Sequence, residues 1–357
     1  MLRNNSKTLL PLFFCAWVLY DILALSTYNS DWEVFKGRYE SGYQDSDLFF
    51  NFLCQFFNGL GVKYENFYKG CQLTTYLAVL YFYNFFCKKG HLYLLIVLLL
   101  LIAPHLAILM QYYLAIAFLL VAVINYMKGR KRLFILFTIL SVSTHTALIL
   151  FSPFVLLWWY FEKSSIQAKI NIGRWVKKLL TISFVCAVFL MSILSILSRV
   201  GIHVFEYNMN DDRASLGATL FYLIIYFSWF CSIYITHYKI CKKGKGIEVV
   251  GDKRYCLLLC LNLFPIVYIF VSNLMILQFR CFEPLLICSI TYLIYASTYL
   301  KRKKLIYVYT LGLILCTAVM KYYLLARYTG GGAGIWVENY TEILVFNEKS
   351  FLLSLFR

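Results

Sequence analysis

The sequence predicts an all-α fold, a polytopic integral membrane protein of about eleven transmembrane helices. Three observations carry this. First, 61% of the 357 residues are hydrophobic and only 14% are charged, and the mean hydropathy is +0.70, more apolar surface than a soluble domain of this length can hide. Second, runs such as LYLLIVLLLLIAPHLAILM (Leu92–Met110) and LLTISFVCAVFLMSILSIL (Leu179–Leu197) reach the length of a bilayer crossing. Third, Lys and Arg sit in short clusters between the apolar runs, such as Lys128–Arg132 and Lys301–Lys304, while most acidic residues lie elsewhere. That separation sets which way each loop faces. It also argues against nucleic acid as a partner despite the net charge of +17, because the basic residues form no continuous face.

The spans follow in order. The run 9–26 contains Asp21 and lacks a small-residue cleavage site, so it reads as a retained first span. The outer loop 27–66 comes next, with the acidic segment Asp31–Asp47. In its second half Phe49, Leu53, Phe56 and Leu60 recur at helical spacing over a stretch too short to span, which suits a helix in the interface. After a span at 67–86, Lys88 and Lys89 open a region closed by the Lys128–Arg132 cluster. With both ends cytoplasmic, the apolar run between them, about 37 residues, crosses twice, at 91–108 (with Pro104 inside) and 111–127. The next region ends at Lys163, Lys169, Arg174, Lys177 and Lys178. It must also double back, but about 30 residues allow only short or re-entrant helices, 132–145 and 147–161. Broken helices at membrane depth need protein or a water-filled cavity over the backbone, so the turn at Ser143–His145 is expected to wall an outer-face cavity.

Spans at 179–199, 218–238, 255–272, 278–299 and 304–325 complete the set, with an outer loop at 200–217. The outer tail 327–357 opens with the flexible GGGAG of Gly330–Gly334. The chain reads as a single polytopic domain, 1–357, with its N-terminus cytoplasmic and its C-terminus outside. The inner segments then hold about 23 of the 34 Lys and Arg but only Glu162, Glu248 and Asp252 among the acids. The twelve cysteines lie mostly inside spans without a C-x-x-C pair, and Cys256 and Cys260 share a helix face with no nearby His, so they read as small buried hydrophobes. Aromatic residues make up 19% of the chain, which serves span packing and interface belts or the stacking of sugar rings in a cleft.

Ionisable residues at the outer ends of spans are the candidates for chemistry, because placing them there is costly. Arg280, three residues before Glu283, reads either as half of an i,i+3 ion pair or as a guanidinium that grips phosphate. Arg213 has the same two readings, beside Asp211 and Asp212. Asp31, Glu33, Glu40, Asp45 and Asp47 cluster in the first outer loop, where a carboxylate can serve as a base. The triplet Asp45–Asp47 has the form of a metal-binding pair, but it is short, and no metal site is expected. His145, in SVSTHTAL, is either a hydrogen-bonded span end or a group facing the cavity. His105 and His203 are weaker candidates. No P-loop, G-x-S-x-G elbow, H-E-x-x-H or dinucleotide fingerprint is present, so neither a cofactor nor cytoplasmic ATP is expected.

These residues carry a resemblance. Asp31, Trp32 and Phe35 match an early outer D-[YW]-x-x-[YF], and Asp45 precedes a short aromatic helix at Leu48–Phe50. QYYLAIAFLL (Gln111–Leu120), KGRKR and HTALIL (His145–Leu150) follow in order, then Arg280 opening a span and the pair Asn339–Tyr340. Over most of its length, and most clearly over 28–160, the chain resembles the EpsG-like family of exopolysaccharide polymerases, a branch of the Wzy-type polymerases of O-antigen and capsule. It departs from the family in carrying Gln111 where Arg is usual and in having Thr on both sides of His145. The resemblance implies glycosyl transfer of a growing glycan from undecaprenyl pyrophosphate to the non-reducing sugar of a lipid-linked repeat unit. The site it implies has His145, Asp31 and Asp45 as catalytic groups and Arg280, Arg213, Gln111, Glu283 and Tyr340 on pyrophosphate and sugar. The partners it implies are the lipid-linked oligosaccharide, membrane lipid, a chain-length regulator and a flippase. An O-antigen ligase would carry its large outer loop late, whereas here it is early. A membrane O-acyltransferase would show Arg and His near its first spans. A transporter or flippase would show mid-membrane charges and two related halves.

Overall fold

The computed structural model describes residues 32–42, 47–87, 94–99, 109–199, 216–271, 282, 285–300 and 303–318, and all the regular structure among them is helical. The described residues up to Ile149 make one compact unit and those from Leu150 onward a second. Met110–Met127 and Lys253–Phe270 are the two described stretches both long and apolar enough to cross a membrane by length and composition.

The first unit contains helices α1 (Trp32–Ser41), α2 (Leu48–Gly59), α3 (Tyr64–Cys87), α4 (Met110–Met127) and α5 (Lys131–Thr144). Helix α1 lies within the segment read from sequence as a polar outer loop. Its own pattern is weak, and packing holds it. Tyr39 is buried and stacks on Phe67 with ring centroids 4.9 Å apart, and its hydroxyl donates to Val62 O at 2.7 Å. Burial raises the Tyr39 hydroxyl above the ordinary phenol pKa, chiefly by desolvation. Helix α2 is the amphipathic element expected at the interface. Phe50 and Cys54 face the core formed with Tyr39, Tyr64, Phe67 and Tyr68, while Leu48, Phe52 and Phe56 are exposed.

Helices α2 and α4 both end in the same way. Gly61, at φ 73°, follows α2, and the bonds Val62 N–H to Phe57 O and Gly61 N–H to Asn58 O close a Schellman motif. After α4, Gly129 sits at φ 71°, with Arg130 N–H on Asn125 O and Gly129 N–H on Tyr126 O. This turn carries the Lys128–Arg132 cluster and reverses the chain, so α4 and α5 form an antiparallel hairpin. A Cβ on Gly129 would meet nothing within 4 Å. Gly129→Ala therefore tests backbone conformation alone and is expected to cost about 1–2 kcal/mol, read as a lower melting temperature of the detergent-solubilised protein. The hairpin packs tightly through small residues, with buried Ser141 donating to Ala115 O at 2.8 Å.

The break expected near Ser143–His145 is present. Helix α5 ends at Thr144, His145 is extended at φ −151° and ψ 113°, and the chain resumes as a 3-10 turn, Thr146–Phe151. Helix α6 (Ser152–Lys163) follows, with Pro153 in its first turn, where the missing N–H costs nothing.

The second unit continues with α7 (Ile166–Ile170), α8 (Ile172–Arg199), α9 (Leu216–Ile240), α10 (Gly246–Gly251), α11 (Lys253–Leu263), α12 (Leu285–Ser297) and α13 (Lys303–Ala318). The stretch read as one span over 255–272 is α-helical only to Leu263 and tightens to a 3-10 helix over Phe264–Val271. Pro265 has no N–H for the α ladder, which accounts for the change. Buried Asn262 joins three helices. It donates to Leu258 O on its own helix, accepts from Ser289 Oγ of α12 at 2.6 Å, and offers its carbonyl to Tyr226 of α9. Trp229 Nε1 donates to Thr317 Oγ1 at 2.9 Å, tying α9 to α13.

Asp252 is the matching knot at the start of α11. Its Oδ1 caps the helix by accepting from Arg254 N at 2.9 Å, and its Oδ2 accepts from the hydroxyls of Tyr295 and Tyr299. Asp252→Ala removes a cap and the acceptor of two hydroxyls, and a loss of about 3 kcal/mol is expected in the same melting assay. Asp252→Asn, which keeps one acceptor oxygen, should lose less.

Candidate functional site

The end of the α4–α5 hairpin opposite the basic turn gathers a carboxylate, a carboxamide and an imidazole. Gln111 lies in the first turn of α4 and His145 follows the last residue of α5, so an antiparallel pairing puts them side by side. Asp47 joins them from the residue preceding α2.

Asp47 holds the N-cap position of α2, where Asp normally accepts from its own helix's N–H groups. Its side chain makes no such bond. Instead Oδ2 accepts from Gln111 Nε2 at 2.7 Å, and Oδ1 accepts from Thr146 N at 2.7 Å. Asp47 as a whole is 7% exposed. Two well-directed donors fix its plane, and burial strengthens both bonds.

Gln111 Nε2 also donates to Thr144 O at 2.9 Å. That carbonyl belongs to the last turn of α5, where backbone acceptors lack intrahelical partners. Both hydrogens of the Gln111 amide nitrogen are therefore engaged within the protein. Gln111, which is buried, clamps Asp47 to the end of α5.

His145 is half-buried, with its ring edge-on to Tyr112 at 5.3 Å and 87°. Its Nδ1 accepts from Ala147 N at 3.2 Å and lies 3.9 Å from Asp47 Oδ2. The first contact sets the tautomer, because an Nδ1 that accepts an N–H leaves the hydrogen of the neutral ring on Nε2. The second is too long for a hydrogen bond, and places the carboxylate as a charge beside the ring. The site thus offers a fixed carboxylate acceptor and an imidazole N–H donor, a division of roles suited to moving a proton from one group and stabilising charge on another.

Of the residues expected from sequence, the fold brings Gln111 and His145 together. Asp31, Asp45, Arg213, Arg280, Glu283 and Tyr340 lie outside the described residues, as do His105 and His203. Asp47 is the carboxylate found with them. Its signal was present in sequence as the acid immediately before an amphipathic helix, but that position reads first as a helix cap. Among the described residues no group of three or more His, Cys, Asp or Glu is placed to hold a metal ion.

The site's three contributing segments, Asp47, the start of α4 and the end of α5, all lie inside the region 10–336 matched by a family model described as the EpsG family. The chain belongs to the EpsG family. No curated protein and no solved structure matches it. EpsG membership, together with the apolar helices, makes this a membrane protein of exopolysaccharide biosynthesis, of the polymerase type associated with glycosyl transfer. Within this EpsG chain, Asp47, Gln111 and His145 form a described cluster of polar side chains at one end of the α4–α5 hairpin.

Proposed function

We propose that the protein is a Wzy-type polysaccharide polymerase at the outer face of the cytoplasmic membrane. It moves a growing glycan from undecaprenyl pyrophosphate to the non-reducing end of a lipid-linked repeat unit. The observation that carries the reading is the buried Asp47 carboxylate held by Gln111 and the Thr146 amide beside His145. It lies at the hairpin end remote from the Lys128–Arg132 turn, which the positive-inside rule assigns to the cytoplasm.

The chemistry follows from the two polar groups. The acceptor hydroxyl oxygen attacks the anomeric carbon of the donor while the bond from that carbon to the pyrophosphate oxygen breaks. Asp47 takes the hydroxyl proton. The bonding electrons leave with the lipid pyrophosphate, whose developing charge accepts a hydrogen bond from His145 Nε2–H. The donor's own pyrophosphate bond supplies the driving force, so no nucleotide takes part. Arg280 and Arg213 are assigned to the pyrophosphate, and Glu283 and Tyr340 to the sugars. Asp31 and Asp45 remain as loop carboxylates that orient the acceptor. The proposal keeps the eleven-span topology, with the N-terminus inside and the C-terminus outside, and a chain-length regulator and flippase as partners.

The test uses purified protein in proteoliposomes with purified lipid-linked repeat unit supplied on the outer-face side. A ladder of polymer on undecaprenyl pyrophosphate is the expected product. Transfer only to a lipid A core acceptor would indicate a ligase. Movement of units across the bilayer without a ladder would indicate a flippase. If Arg280→Ala and His145→Ala both leave the chain-length distribution in cells unchanged, the transfer site lies elsewhere.

A further inference from the structure

Where α6 ends and α8 begins, the second unit collects basic side chains on aromatic rings. Lys163, the last residue of α6, holds its Nζ 4.1 Å from the centroid of the Trp159 ring. Lys178 of α8 lies over Tyr160 at 5.4 Å and over Trp175 at 5.9 Å, and its Nζ donates to the Tyr160 hydroxyl at 3.4 Å. Tyr160 meets buried Trp175 edge-on at 5.3 Å, which joins the two helices. Arg174 and Lys177 are exposed in the same first turns of α8. The acid at this end, Glu162, is already engaged, with its carboxylate 2.7 Å from Lys253 Nζ. Lys163, Arg174, Lys177 and Lys178 have no acidic partner among the described residues.

The surface changes character along both helices. Back along α6 from Lys163 the exposed positions are Tyr160, Trp159, Leu156 and Val155, and forward along α8 from Lys178 they include Ile182 and Val185. Each helix therefore passes from cation to apolar surface, on α6 by way of a Trp and a Tyr that are 57% and 50% exposed. A phospholipid has its groups in that order, from phosphate to acyl chain. Trp and Tyr sit at headgroup level, and Lys stems reach out from there. An apolar face alone accepts any lipid, whereas four cations without a counter-charge favour an anionic one. An acidic soluble partner would match the charge but leave Leu156, Ile182 and Val185 uncovered. The rings also hold the two ammonium groups in place, so less side-chain freedom is lost when a phosphate binds. The Lys128–Arg132 turn lacks this arrangement. Lys128 Nζ donates to the Tyr81 hydroxyl at 2.6 Å, and no exposed Trp or Tyr adjoins it among the described residues.

We infer that the α6–α8 junction is a binding site for an anionic phospholipid of the membrane. Lys163 and Lys178, held on neighbouring rings, take the phosphate, Arg174 and Lys177 add charge at the rim, and the acyl chains cover the apolar positions beyond Trp159 and Lys178. The positive-inside rule assigns this basic end to the cytoplasmic leaflet. The site does not depend on the polymerase reading.

The experiment uses the full-length chain in phosphatidylcholine nanodiscs. These carry a small, equal fraction of diazirine-bearing phosphatidylglycerol or diazirine-bearing phosphatidylcholine. Every membrane-facing surface takes some label, so the readout is the ratio of the two labels at each segment. A ratio of about tenfold is expected over residues 155–163 and 174–185. Equal labelling is expected around Ile224 and Phe227, exposed in the middle of α9. Lys163→Gln with Lys178→Gln should abolish the preference at the junction. Lys163→Arg with Lys178→Arg, which keeps both charges, should retain it and so separates loss of charge from loss of fold. Equal labelling of the junction in the wild-type protein, a Gln pair that keeps the full preference, or an Arg pair that loses as much as the Gln pair would overturn the inference. Displacement of the label by inorganic phosphate would reassign the site to a free anion, and displacement by a polyglutamate peptide to an acidic protein, and either result overturns it.

Discussion

Asp47→Asn is expected to reduce polymer formation by about 10²–10⁴-fold, the range general-base groups contribute. The substitution preserves shape and, with its amide suitably turned, one acceptor oxygen, so the bond from Gln111 or from Thr146 N survives and the fold is retained. What is lost is the carboxylate that takes the acceptor proton. The measurement is initial rate in proteoliposomes, alongside a melting curve that should move little. Asp47→Glu distinguishes charge from placement. It restores the carboxylate about one methylene away, where Gln111 and the Thr146 amide cannot both hold it, and it should recover only a small part of the rate. An Asn variant polymerising at the wild-type rate would remove Asp47 from the chemistry. Gln111→Ala offers a check from the other side of the same bond. It touches no reacting atom in the proposed scheme, so its loss should appear in kcat through misplacement of Asp47, and Gln111→Glu should be worse than Ala because it sets a second carboxylate against Asp47.

The second large effect is expected at His145. With Nδ1 accepting from Ala147 N, the neutral ring presents an N–H at Nε2, and His145→Ala should lower kcat by about 10²–10³-fold, as removal of a donor to developing charge does elsewhere. His145→Gln separates the roles. A Gln amide N–H can reach close to the position of Nε2–H and restore a donor, but it cannot act as a base. Partial rescue by Gln over Ala supports the donor assignment. Equal loss in both variants would transfer the base role to His145 and leave Asp47 as the group that positions it.

How much of this was legible before the fold is clearest at particular residues. The interruption at His145 was readable because a run of about 30 apolar residues between basic clusters leads to the expectation of two short helices, and the structure ends α5 at Thr144. The short helix α2 was readable from helical spacing in a run too short to cross. Helix α1 was not, since its polar sequence has little amphipathic pattern and Tyr39, burying itself against Phe67 from another helix, holds it. The change from α to 3-10 helix within the 255–272 span, after Leu263, follows from Pro265, a local signal that hydropathy alone overrides. That Asp47 meets Gln111 was not legible, because the acid immediately before an amphipathic helix reads first as its cap.

The sequence by itself determined the class of protein, an all-helical membrane protein, because a bilayer admits few ways to bury so much apolar length. Only the tertiary structure decided that the Asp47 carboxylate meets Gln111 and the Thr146 amide and that the Gln111 amide faces inward as a clamp. Those depend on hydrogen bonds between residues 33 to 99 positions apart, whose directions are set by packing and leave no periodic trace in the chain.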